Sequence, residues 1–243
     1  MAGMFRDCSG LTSLDLSEFD THSATDMSDM FYSCKNLTSL VVSNFNTSSV
    51  TNMLRMFRDC EKLASLDVSS FNTANVTNMN EMFCGCSSLT SLDLRHFDTH
   101  NVTQLDYMFS TCKMLGSLDL SSFNTSNVTT MRSLFISCNE LATVDLSSFN
   151  TQKVTDMNNM FNGCFKLVTL DVSSFDTHNV TNMSDMFAWC SNLTTIYASE
   201  RWSVEKVLPS GGNKEMRTAA ERGALPPFLR CRIWLSLLLV TAG

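Results

Sequence analysis

Ten cysteines are the first residues whose chemistry needs explaining. In a chain of 243 residues they could form a disulfide framework or a set of metal ligands. Their spacing points elsewhere. Eight of them close the string Met-Phe-x-x-Cys, from Met4-Phe5-Cys8 and Met30-Phe31-Cys34 through to Met186-Phe187-Cys190. Each copy follows the last by 26 residues without insertion or deletion, and only Leu134 departs from the methionine. Thiols in one column of a repeat stack into a ladder, since parallel neighbours lie about 4.8 Å apart. A buried free cysteine packs as a small hydrophobe, so buried thiols are expected. Disulfides or a metal along the ladder are the alternative. Cys84 and Cys86 form Cys-x-Cys, which is not a zinc spacing. The four histidines do not cluster, so no metal site is expected.

A column of carboxylates follows the same period. Asp15, Asp67, Asp93, Asp119, Asp145 and Asp171 share it, with Val41 and Tyr197 in the second and eighth copies. Serine or threonine flanks most of them, and Arg95 follows Asp93. On a strand facing away from the core these residues make a Ser-Asp-Ser surface. Like charges directly opposite across strands are destabilising unless solvent, hydroxyls or cations offset them. One reading is a partner-binding face, with Ca²⁺ bridging carboxylates as hard cations bridge oxygens. The plainer reading is that Asp suits this strand position and Ser keeps it soluble. Arg95 and His96 interrupt the pattern and, with Tyr107, could mark a local contact. The ligand-binding candidates are therefore Asp15, Asp67, Asp93, Arg95, Asp119, Asp145 and Asp171. No catalytic residue is expected, because a catalytic site needs differentiated residues in one pocket. Here nearly every polar residue is a repeat column, so the chain reads as a non-enzyme.

The elements that would position these columns follow from the apolar pattern. Val76, Met79, Met82, Phe83, Cys86 and Leu89 fall at offsets of 0, 3, 6, 7, 10 and 13. At about 100° per residue they cover one arc of a short amphipathic helix, with Asn75 or Thr73 as its N-cap. The methionines lie on the inward arc and read as core. Leu92 and Leu94 then alternate with polar neighbours, as on a short strand with one buried face. Phe97 turns inward, and Asp98-Thr99 begins the next turn.

The expected fold is an α/β solenoid. It is a leucine-rich-repeat-like right-handed coil with one short parallel strand and one short helix per 26-residue repeat, about eight coils in all. Stacking gives a parallel sheet on one side and a row of helices on the other. Residues 1–203 form the solenoid, with the first repeat incomplete. Residues 204–243 read as a non-repeat tail, poorly ordered or a degraded cap. Its apolar run, Ile233 to Ala242, falls short of the ~20 residues a bilayer span needs. The tail as a whole only loosely echoes a lipid-anchor signal, which Arg230 and Arg232 weaken, and Leu208-Pro209-Ser210-Gly211-Gly212 only loosely echoes a sortase signal. No secretory leader is visible, and the uncapped first coil suggests a fragment.

Hydrophobic content of 44% is ordinary for a globular chain. A net charge of -7 and the lack of a Lys/Arg column argue against nucleic acid. Sequons such as Asn75-Val-Thr77 and Asn101-Val-Thr103 recur in one column. They matter only in a eukaryotic secretory pathway and otherwise read as turn residues.

Leu63-Ala-Ser-Leu66-Asp-Val68 carries the leucine-rich-repeat strand signature, with Phe71 where Asn or Cys is usual. The longer string, as in Thr111-Cys-Lys-Met-Leu-Gly-Ser-Leu-Asp-Leu-Ser-Ser-Phe-Asn-Thr-Ser-Asn-Val-Thr-Thr-Met131, resembles the BspA-type surface-protein repeat. That repeat is also described as a domain of unknown function in bacterial and mycoplasma lipoproteins and in some protists. The resemblance covers about residues 3 to 203. It implies a cell-surface or secreted protein acting in adhesion, with protein or glycan ligands on host or neighbouring cells. It implies no catalytic residues, and the short apolar run leaves no direct membrane span expected in this segment. A structural spacer within a larger surface protein is the alternative.

Overall fold

The computed structural model describes residues 1–203. Expectations about the tail lie outside the described residues. Within them, each 26-residue repeat makes one coil of a stack. The short strands are β1 (Ser13–Asp15), β2 (Ser39–Val41), β3 (Ser117–Asp119), β4 (Thr143–Asp145), β5 (Thr169–Val172) and β6 (Thr195–Ala198). All pairing is parallel and one repeat out of step, as in Ser13↔Ser39, Leu118↔Val144 and Leu170↔Ile196. The alternation read from sequence holds: Leu118 and Leu170 face in, and Asp119 and Asp171 face out.

Two expectations need correction. The strands do not form one continuous sheet. They form three two-stranded pieces, β1-β2, β3-β4 and β5-β6. The third and fourth coils, around Leu66 and Leu92, carry no assigned strand.

The helix is also wrong. No helix occurs among the described residues, and the Met-Phe-x-x-Cys run is a chain of turns. Its backbone alternates between two kinds of hydrogen bond. Met27, Asp29, Phe31 and Ser33 each donate their N–H to a carbonyl of the next coil, at 3.0, 2.8, 2.8 and 2.8 Å. Met30, Tyr32, Cys34 and Leu37 donate back to the carbonyl three residues earlier. A helix would keep every donor within its own segment; here every second one crosses to the neighbour. The switch needs left-handed residues, and each coil has two. Asp29 (φ 55°) and Ser33 (φ 60°) hold them in the second coil, and Glu81 (φ 58°) and Gly85 (φ 75°) in the fourth. Neither Asn75 nor Thr73 therefore caps a helix.

What looked like the inward arc of a helix is still the core. Met27, Met53, Met79 and Met131 are fully buried, with the Phe, Cys and Leu columns beside them. Phe31, Phe57, Phe83, Phe109 and Phe135 stack ring on ring, with centroids 5.5, 5.7, 6.0 and 5.7 Å apart. The column continues through Phe161 and Phe187 to Trp202.

Two buried side-chain ladders bind coil to coil. From Cys34 to Cys190 each thiol of the column donates to a phenylalanine carbonyl of the preceding coil: Cys60 to Phe31 at 3.3 Å, Cys86 to Phe57 at 3.1 Å, Cys138 to Phe109 at 3.0 Å. The nine cysteines of the described residues are free. Burial pushes the ionisation of the thiols from Cys34 to Cys190 up, to about 11 for Cys34 and Cys190 and about 12 for Cys138. The threonine of each Asn-Thr or Asp-Thr pair makes the second ladder, going the other way. Thr73 Oγ1 donates to the Asp98 carbonyl at 2.9 Å and accepts from the Asp98 N–H at 2.8 Å. Thr47 and Thr151 repeat both bonds with Asn72 and Asp176. Each buried hydroxyl thus pairs with two backbone groups of the next coil.

Candidate functional site

The strand side holds the predicted site residues. Asp15, Asp67, Asp93, Arg95, Asp119, Asp145 and Asp171 are all exposed and fall along one edge of the stack. Asp119 lies directly opposite Asp145, so the like-charge contact exists there. At the ends it is relieved, since Asp15 faces Val41 and Asp171 faces Tyr197.

Each carboxylate does a local job. One oxygen accepts the N–H two residues on: Asp15 from Ser17, Asp67 from Ser69, Asp145 from Ser147 and Asp171 from Ser173, each at 2.9 Å. This is an Asx turn, which reverses the chain after the strand. Asp119 adds the Ser121 hydroxyl at 2.6 Å. At Asp15, Asp67 and Asp119 these bonds favour the charged form. The Ser17 backbone N–H lowers the Asp15 pKa, and the hydroxyls of Ser69 and Ser121 lead in lowering Asp67 and Asp119. The Arg95 guanidinium grips Asp93 at 2.9 and 2.7 Å and holds its carboxyl well below the usual range.

Arg95 therefore belongs to the Asp93 turn. His96 Nε2 meets the Val68 carbonyl at 2.8 Å, and its ring sits edge-on to Phe97. Tyr107 lies in the Met-Phe turn run with φ 57°. No hydrogen bond or ion pair joins these three among the described residues, so the structure does not bring them together.

Three of the candidates converge. Asp119, Asp145 and Asp171 line an open groove of about 940 Å³ across β3, β4 and β5. Ser117, Thr143, Ser147 and Ser173 add hydroxyls to its wall. Asp15, Asp67, Asp93 and Arg95 lie outside it. Asn150, Gln152, Asp176 and Arg201 also line the groove, and sequence reading missed them. The signal for Arg201 was present. It stands 26 residues after Phe175, where the phenylalanine column ends. Among the described residues no group of three or more His, Cys, Asp or Glu could hold a metal ion, so the Asp stripe does not assemble a cation cage.

The groove's surroundings are acidic because positive charge is segregated. Arg6, Lys35, Arg55, Arg58, Lys62, Lys113, Arg132 and Lys166 all fall in the turn run. Elsewhere in residues 1–203 the lysines and arginines are Arg95, Lys153 and Arg201 alone, beside four histidines. The strand side can thus present carboxylates, hydroxyls and amides to a donor-rich ligand.

The chain matches a family described as a mycoplasma protein of unknown function, DUF285, over residues 1–117 and 112–220. It belongs to that family, which bears out the BspA-like resemblance read from the repeat. No curated protein matches. Among solved structures it is similar to a leucine-rich repeat protein from Bacteroides ovatus, at 18% identity and a TM-score of 0.43. That match covers 82% of this chain and 58% of the other, so this chain spans little more than half of that protein. It is also similar to a leucine rich cell surface protein from Faecalibacterium prausnitzii, at 14% identity and a TM-score of 0.29, covering 77% and 76%. No helix among the described residues is long and apolar enough to cross a membrane.

Proposed function

We propose that this DUF285-family chain is a non-catalytic binding module of a cell-surface or secreted protein. On this reading it mediates adhesion through the strand-side groove of its middle and later coils. The observation that carries the reading is the convergence of Asp119, Asp145 and Asp171 with Asn150, Gln152 and Arg201 on one open, polar concavity. Such a wall suits a ligand with many hydroxyl or ammonium donors, as glycans and basic protein segments have. The BspA-type resemblance supports the surface location.

One observation favours a second reading, a spacer with no ligand of its own. Each stripe carboxylate already has a structural task in its Asx turn. Solid-phase binding of the chain to extracellular-matrix proteins and cultured cells, with and without Ca²⁺, separates the two. The adhesive reading expects saturable binding that weakens at least tenfold in the Asp119→Asn/Asp145→Asn/Asp171→Asn variant. Absence of binding in either condition leaves the spacer.

A further inference from the structure

The turn side carries a feature that neither the repeat nor the groove requires. Arg6, Tyr32 and Arg58 occupy one column in the first three coils. The Tyr32 ring has the Arg6 guanidinium 4.9 Å and the Arg58 guanidinium 5.7 Å from its centroid. Arg55, from the neighbouring column, comes within 5.8 Å. The stack is held in place by the chain's own acids. Asp29 pairs with Arg6 at 3.5 Å and with Arg55 at 2.9 Å, while Arg58 pairs with Asp59 and Glu81.

Packing does not call for this arrangement. In the later coils the same column holds Cys84, Ser110, Ile136, Asn162 and Ala188, and those coils stack with the same turn hydrogen bonds. The core columns stay uniform while this one changes in every coil. Tyrosine and arginine are the residue types over-represented where binding energy concentrates. A guanidinium carries five N–H donors in a fixed fork suited to carboxylates, more than these acids engage. All three arginines remain partly exposed, at 48%, 32% and 31% of their side chains.

We infer that the Arg6–Tyr32–Arg58 stack on the turn side is a protein-binding hot spot for a segment presenting one or two isolated carboxylates flanked by basic residues. Charge complementarity selects this partner. Asp7, Asp29, Asp59 and Glu81 border the guanidiniums. A continuous polyanion would meet those carboxylates along its length, whereas an isolated acid between lysines or arginines meets opposite charge everywhere. The inference concerns a different side from the groove, so the Asp→Asn groove variant leaves it untouched and either can fail alone.

The test is selection of a randomised displayed peptide library on the whole chain, with heparin and polyglutamate as competitors. Selected peptides should carry Asp or Glu next to Lys or Arg. Their affinity should fall at least tenfold on Arg6→Ser/Tyr32→Ser/Arg58→Ser, with thermal unfolding unchanged, since serine already occupies this column at Ser110. Arg58→Lys, which keeps the charge but loses the fork, should weaken binding alone if the triple variant is unstable. The proposal is overturned if no peptide is enriched, if enriched peptides bind the variants equally, or if heparin or polyglutamate displaces them from the same residues.

Discussion

The two sides of this solenoid cohere by different means. On the turn side each of the first seven coils gives its neighbour the same three backbone donors, from Gly3, Phe5 and Asp7 in the first coil to Asn159, Phe161 and Gly163 in the seventh. On the strand side pairing breaks into three short pieces, and the coils around Leu66 and Leu92 have no assigned strand. The parallel strand pairing is the weaker fastening here. The turn run, with its thiol and threonine ladders, joins the coils. The strand side is thereby freed to carry an unfavourable column of like charges and an open groove. The turn side, locked by its backbone, tolerates almost any outward side chain, and differentiated residues such as Tyr32, Ile136 and Trp189 collect there.

Proline substitution should break this asymmetry most sharply. Ser137 has φ 59° and donates to the Asn162 carbonyl at 2.7 Å. Ser137→Pro loses that bond and cannot adopt the angle, so a loss above about 3 kcal/mol is expected. Ser91 makes no such bond among the described residues, and Ser91→Pro should cost far less. Denaturant unfolding of the two variants checks the order; equal losses would deny it.

Thr73→Val comes next. It removes the partner of the Asp98 carbonyl and of the Asp98 N–H, and each net hydrogen bond contributes about 0.5–1.5 kcal/mol. A melting temperature within a degree or two of the parent would show that the hydroxyl ladder is dispensable.

Alkaline pH should act through the thiols. Their folded pKa values are raised above the ordinary 9.0 by burial, so the unfolded chain ionises first and binds fewer protons. Stability should be level below about pH 9 and fall steadily above it, and the decline should run past about 11–12, because burial raises Cys60, Cys86, Cys112 and Cys164 further than Cys34, Cys138 and Cys190. Melting curves in reductant from pH 7 to 10.5 test this, and a flat profile would mean the ladder is not desolvated.

The smallest effect is expected on the exposed face. Asp119→Asn keeps an acceptor for the Ser121 N–H and removes the repulsion with Asp145. Stability should change by less than about 0.5 kcal/mol, in the favourable direction at low salt. A large loss would mean the charge itself holds the turn.

The period, the core columns, the buried thiol ladder and the outward Asp column were all legible in the sequence, because a uniform repeat repeats its contacts. The helix misreading has a definite cause. Offsets of 0, 3, 6, 7, 10 and 13 fit a 3.6-residue helix and a train of three-residue turns equally well. Asp29, Ser33, Asp59, Gly85 and Gly163 hinted at left-handed positions. Arg55, Glu81, Tyr107 and Trp189 hid them by taking the same angles. The threonine ladder was invisible for another reason. Asn-Thr reads as a turn, and nothing local shows that the hydroxyl reaches the next coil 25 residues away. The groove needed three coils in register, and its Arg201 wall arises only where the phenylalanine column stops.

Native-state hydrogen exchange tests the central claim most directly. If the turn side joins the coils, the N–H groups of Phe57, Asp59, Phe83, Gly85 and Phe109 should exchange only through global unfolding. Those of Leu66, Asp67, Leu92 and Asp93 should exchange through local openings, orders of magnitude faster. Strand-side amides protected as strongly as the turn-side ones, or more so, would contradict the account.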